Sequence, residues 1–84
     1  MVRLKVITNE TCGCCHDLLN MLKNYTTMHK DVVYEEDDVK NHKDRKLKGL
    51  PFTIVYKNNI EVGSIMGNMD MEIFDLRLNE LTKW

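Results

Sequence analysis

Apolar residues recur along this chain at two different spacings. Arg3-Leu4-Lys5-Val6-Ile7-Thr8 is rich in Leu, Val and Ile and alternates poorly, which predicts a strand buried on both faces. Asn9-Glu10-Thr11 interrupts it. From about Gly13 to Thr27 the apolar positions Cys15, Leu18, Leu19, Leu22 and Tyr25 follow the i, i+3, i+4, i+7 spacing of a helix packed on one side. Asp17 is expected in the first turn, where a carboxylate complements the positive end of the helix dipole. Val32-Val33-Tyr34-Glu35 is β-branched and aromatic, a second short strand.

The pattern then becomes almost purely charged. Glu35-Glu36-Asp37-Asp38 is followed by Lys40, Lys43, Arg45, Lys46 and Lys48, with only Val39 and Leu47 apolar between them. Acidic first and basic last matches a helix dipole, and the stretch is expected to form a largely solvated helix. Gly49-Leu50-Pro51 stops it. Phe52 to Tyr56 and Ile60 to Met66 are strand-like runs joined by Lys57-Asn58-Asn59, a tight turn because Asn tolerates positive φ. Gly67 marks a break, and Asp70 is a good N-cap for a last helix carrying Ile73, Phe74, Leu76, Leu78 and Leu81. The order is βαβαββα, with early strands parallel through helical crossovers and a late antiparallel hairpin in the same sheet. It predicts one α/β domain spanning 1–84. Tyr25, Tyr34, Tyr56, Phe52, Phe74 and Trp84 are expected to serve mostly packing, and for the methionines Met66, Met69 and Met71 adaptable packing fits as well as a metal role.

Composition narrows the function. Eighty-four residues leave room for one small core and one site, and a formal net charge of −1 provides no field for nucleic acid or membrane binding. The first apolar run is too short for a secretory signal, and no segment approaches a bilayer span. The expected setting is cytoplasmic, as a monomer, where thiols are kept reduced and clustered cysteines are catalytic or metal-binding rather than structural.

All three cysteines lie in Thr11-Cys12-Gly13-Cys14-Cys15-His16, at the strand-to-helix turn. Three chemistries fit those atoms. Cys12 and Cys15 have the C-x-x-C spacing of thiol–disulfide exchange. Cys12-Gly13-Cys14-Cys15-His16 also has the spacing of covalent haem attachment, although the strand content and lack of an export signal oppose it. Cys12, Cys14, Cys15 and His16 together could ligate copper or zinc, as in a small soft-metal chaperone, although that βαββαβ fold ends on a strand and this chain ends on a helix. In the dithiol reading Cys12, just before the helix, is the attacking sulfur. Cys15, on the same stripe as Leu18 and Leu22, is the buried resolving thiol. Cys14 and His16 are auxiliary candidates, Cys14 as a third thiol open to oxidation and His16 as a cation near the thiolate.

The dithiol turn, Leu50-Pro51 just before a strand, and Gly67 to Asp70 opening the last helix together resemble the thioredoxin superfamily, and the short length resembles its glutaredoxin branch. The resemblance implies a thioredoxin fold with a four-stranded mixed sheet flanked by helices. It implies a redox-active Cys12–Cys15 disulfide and a cis Pro51 beside it, with Leu50 presenting its backbone to substrate. Thr11, Gly67, Asn68 and Asp70 would complete the substrate groove, where glutaredoxins receive glutathione. No bound cofactor or metal is implied. Partners would be disulfide-containing proteins, a reductase such as ribonucleotide reductase, and glutathione or a thioredoxin reductase as electron source. The chain departs from the family at Gly13-Cys14, where glutaredoxins commonly have Pro-Tyr. It also departs at Val6, where thioredoxins bury an Asp, and at Asn9, where glutaredoxins often carry a lysine.

Overall fold

A computed structural model of the chain describes residues 1–43, 47 and 49–83. The strands are β1 (Val2–Thr8), β2 (Val32–Asp38), β3 (Phe52–Lys57) and β4 (Ile60–Met66), and the helices are α1 (Gly13–Met28) and α2 (Met71–Thr82). Sheet order is β2-β1-β3-β4. β1 pairs parallel to β2 and antiparallel to β3, and β3 pairs antiparallel to β4. The parallel pair follows from α1, which carries the chain back along β1 before β2 starts.

Residues opposite one another on paired strands share a face, so the registers define two layers. Val2, Leu4 and Val6 of β1, Val55 of β3 and Ile65 of β4 form one face, and the buried stripes of both helices, Leu18, Leu22, Tyr25, Phe74 and Leu78, close over it. Truncating one such residue, for example Phe74→Ala, costs about 3–5 kcal/mol, a large share of the roughly 5–15 kcal/mol that holds a domain folded. The opposite face is more polar, as expected for one that no helix among the described residues covers. There Arg3 lies 4.5 Å from the Tyr56 ring centroid and 3.1 Å from Glu35, an exposed pair worth at most about 1 kcal/mol. Ile7 of β1 and Ile54 of β3 are nevertheless buried on that side, so β1 is buried on both faces only toward its Thr8 end, while Arg3 and Lys5 are half-buried where its sequence predicted burial throughout.

The hairpin between β3 and β4 turns on Asn58 and Asn59, both with positive φ (53° and 68°), as the asparagine pair predicted. Gly63 of β4 lies beneath α2, where a Cβ would come within 2.5 Å of Leu81 Cδ2.

The charged stretch differs from its sequence expectation. Glu35 to Asp38 continue β2, and only Val39–His42 wind, as a 3₁₀ turn. Arg45, Lys46, Lys48 and also Trp84 lie outside the described residues. The physical reason is on the strand. Glu35 finds Arg3 and Lys5 across the sheet, Glu36 accepts a hydrogen bond from Thr8, and Asp38 caps the 3₁₀ turn by accepting from the Lys40 amide. Those partners outweigh a helix with almost no apolar stripe to dock. Asp17 also lies beyond the first turn of α1, which contains no acidic residue.

Tyr25 joins the two helices. Its ring meets Phe74 edge to face at 5.8 Å and stacks on His29 at 4.2 Å, and its hydroxyl donates to Asp75 Oδ1 at 2.5 Å. Burial above all, and then the hydrogen bond to Asp75, hold the phenol pKa well above the ordinary value of about 10. A phenol harder to ionise when folded contributes stability that is complete below pH 10 and is lost as pH rises above it. Tyr25→Phe is expected to lower stability by about 1 kcal/mol at neutral pH. Denaturant unfolding at neutral pH and above pH 10 checks this, and the variant's curve should fall less steeply into alkali than that of the parent.

Candidate dithiol site

The site begins where β1 runs out. Asn9 turns the chain by accepting from both the backbone N–H (3.1 Å) and the hydroxyl (3.2 Å) of Thr11, while its carbonyl accepts from the Cys12 amide at 3.0 Å. This side-chain-built turn delivers Cys12 to the N-cap of α1 with extended backbone, φ −90° and ψ 103°. The Cys15 amide donates to Cys12 Sγ at 3.2 Å and shares that hydrogen with the Cys12 carbonyl. The sulfur thus takes the role that a serine or aspartate oxygen plays at other helix starts. An N–H aimed at sulfur, together with the positive end of the helix, favours the thiolate over the thiol.

Cys12 and Cys15 are joined in a disulfide with Cα atoms 5.3 Å apart, inside the usual range for such bridges. Their exposure is unequal. Cys12 is half-buried at the lip, whereas Cys15 is 1% exposed and belongs to the stripe with Leu18 and Leu22. Cys14 is a free exposed thiol, and His16 is exposed. Among the described residues no group of three or more His, Cys, Asp or Glu side chains is arranged to hold a metal ion, so the Cys12, Cys14, Cys15 and His16 set is not gathered into one.

Sheet register brings the other candidates to the same end. Ile7 near the finish of β1 faces Phe52 at the start of β3, and Phe52 faces Met66 at the finish of β4. The residues that precede β3 and follow β4 therefore flank the dithiol turn. The Leu50–Pro51 peptide is cis, Leu50 is half-buried, and Pro51 is buried. The Pro51 carbonyl accepts from the Gly67 amide at 2.8 Å, clipping the two loops together, and Gly67 has φ +93°, a conformation that favours glycine. Asn68 and Asp70 are exposed. Asp70 is the N-cap of α2 through its carbonyl, which accepts from Phe74, and its side chain makes no cap bond.

No family model and no curated protein matches this chain. Solved structures do. An oxidised thioredoxin from Plasmodium falciparum superposes with TM-score 0.75 at 19% identity, covering 96% of this chain and 82% of the other. Thioredoxin f2 from Chlamydomonas reinhardtii superposes with TM-score 0.80 at 16% identity, covering 96% and 79%. The fold is that of thioredoxin. Its four-stranded mixed sheet and two helices are matched over nearly the whole chain, while the side chains around them differ at most positions. No helix among the described residues is long and apolar enough to cross a membrane.

A polar pocket beside the turn escaped the sequence reading. It is lined by Thr8, Glu10, Glu36, Asp37, Asp38 and Asn41. Asp37 organises it, accepting from Asn41 Nδ2 (2.7 Å) and the Asp38 amide (2.9 Å) and meeting His42 Nε2 at 2.9 Å. The first of these bonds, then His42, lower its carboxyl from the ordinary 3.8 to about 2. No sequence signal marked Asp37, because its partners are assembled by the end of β2 and the 3₁₀ turn that replaces the expected helix. A lowered carboxyl contributes stability that is complete above pH 3.8 and is lost as pH falls toward 2. Asp37→Asn should therefore flatten acid unfolding between those values, followed by circular dichroism, and the wild-type Asp37 carboxyl resonance should titrate below those of unpaired aspartates.

Proposed function

We propose that this protein is a thiol–disulfide oxidoreductase working through Cys12 and Cys15. The observation that carries the reading is the unequal exposure of a bridged pair at a helix N-terminus, one sulfur at the surface and its partner behind it. In the reduced protein, the Cys12 thiolate attacks a substrate disulfide, forming a mixed disulfide and releasing one substrate thiolate. Cys15 then attacks Cys12 Sγ, so the second substrate sulfur leaves and the Cys12–Cys15 bridge closes. Two electrons pass to the substrate, and an external thiol reductant must return them.

Thr11, Leu50, Pro51, Gly67, Asn68 and Asp70 form the rim on which a substrate backbone rests, with Cys14 and His16 as auxiliary groups on the exposed face of the first turn. The substrates are disulfide-bearing proteins or glutathione mixed disulfides, a reductase such as ribonucleotide reductase among them. The electron source is glutathione or a thioredoxin reductase. A reducing compartment such as the cytoplasm suits a dithiol that must be recycled, and a monomer comprising residues 1–84 suffices for the cycle.

Insulin disulfide reduction by the purified chain tests the proposal, with glutathione plus glutathione reductase and thioredoxin reductase supplied in parallel arms. Turnover is expected in at least one arm. Cys12→Ser should drop it to the uncatalysed level, and Cys15→Ser should trap mixed disulfides visible by mass spectrometry. Absence of turnover in both arms, with a bridge that dithiothreitol still opens, would remove the reading. Full activity in Cys12→Ser together with its loss in Cys14→Ser would move the nucleophile to Cys14.

A further inference from the structure

Thr8 closes β1 as a buried residue whose hydroxyl donates to Glu36 at 2.8 Å, and Cys15 is the buried side chain of the first turn of α1. Between these two anchors the chain has little to pack against. Glu10, Thr11, Gly13 and Cys14 are exposed, and a Cβ added to Gly13 would meet nothing within 4 Å. The conformation of this stretch, and with it the position of Cys12, must therefore come from polar contacts. Among the described residues, the hydrogen bonds made within the turn from Asn9 to Cys12 all end on Asn9.

Its two oxygens divide the work. The carbonyl accepts from the Cys12 amide at 3.0 Å and closes a four-residue turn, a bond that any residue could make from that position. The side-chain Oδ1 accepts from the Thr11 amide at 3.1 Å and from the Thr11 hydroxyl at 3.2 Å, which requires an acceptor on a short side chain two residues upstream. Beyond the turn the Cys15 N–H is shared: Cys12 Sγ and the Cys12 carbonyl both lie 3.2 Å from its nitrogen. With the two acceptors so evenly matched, a small drift of Cys12 is enough to take the hydrogen off the sulfur.

We propose that Asn9 Oδ1 is the positioning group for the Cys12 sulfur, holding the turn so that the Cys15 amide stays on that sulfur. The inference rests on reading Cys12 and Cys15 as a redox pair, and it adds a residue that bonds to neither sulfur. An N–H on sulfur favours the thiolate over the thiol, so the Asn9 carboxamide sets how much of Cys12 stands ready to attack at neutral pH. On ionisation the Cys12 proton passes to solvent. Asn9 takes no proton and acts only through the geometry of the turn.

Ultraviolet thiolate absorbance tests this in a Cys14→Ser/Cys15→Ser background, where Cys12 is the sole thiol and the amide of residue 15 is kept. Asn9→Ala removes the acceptor and is expected to raise the Cys12 pKa by about half a unit, a roughly threefold loss of thiolate below the pKa. Asn9→Gln, which carries the carboxamide one methylene too far, should do the same. Asn9→Ser, which restores a short oxygen acceptor, should titrate with the parent. Circular dichroism confirms that each variant folds, and Asn9→Gln against Asn9→Ser decides the matter if Asn9→Ala does not. Coincident curves for the parent and the two acceptor-less variants would overturn the proposal, and so would a shift that Asn9→Ser shares with them. The titration uses no substrate. Separated curves without insulin reduction would therefore sink the functional reading alone, and insulin reduction with coincident curves would sink this one alone.

Discussion

The docking of α1 on the sheet is the interaction on which the site depends. Cys15, Leu18, Leu22 and Tyr25 form one stripe that buries itself against Leu4, Val6 and their neighbours. The helical period that sets this stripe also decides which sulfur is hidden. Cys15 goes under with the leucines, and Cys12, three residues earlier at the cap, is left at the lip with an amide hydrogen aimed at it. Core packing and sulfur chemistry are therefore two results of one burial. A change that loosened the stripe would disturb the dithiol even from a distance, because among the described residues Cys15 is the buried side chain of the first turn.

Sheet register does the complementary work. β3 lies between β1 and β4, so the loops that precede β3 and follow β4 must emerge beside the turn that follows β1. The hydrogen bond from Gly67 to Pro51 closes the two loops on each other. Segments widely separated in sequence are thus brought to one end of the sheet. On the other flank, the end of β2 and the 3₁₀ turn wall the site with carboxylates whose partners are largely local, and Asp37 spends its oxygens on Asn41, His42 and its own neighbour. This flank carries the short 3₁₀ turn where the charge pattern alone suggested a longer helix. Its geometry comes from side-chain hydrogen bonds rather than from a docked apolar stripe.

Much of this architecture was legible in the residues. The aliphatic run of β1, the stripe of α1 and the Asn58-Asn59 turn each depend on neighbours a few positions away, so their periods and turn chemistry could be read directly. The bridged pair and the unequal burial of its two sulfurs were legible for the same reason, since the cap position and the first turn are only three residues apart. The role of Asn9 was also locally encoded, as an acceptor two residues before a threonine. The charged stretch was not legible in the same way. Alternating blocks of charge satisfy a helix dipole and a sheet edge equally well, and the choice depended on Arg3, Lys5 and Thr8 of a strand distant in sequence.

By itself, then, the sequence determined the order of elements, the face each helix buries and the pair of sulfurs at the head of α1, because these follow from spacing along a single segment. The fate of Glu35 to Asp38 and the meeting of Pro51 with Gly67 were settled only in three dimensions. Each of these depends on which strand lies alongside, a long-range pairing whose outcome is set by hydrogen bonds and burial that no local pattern contains.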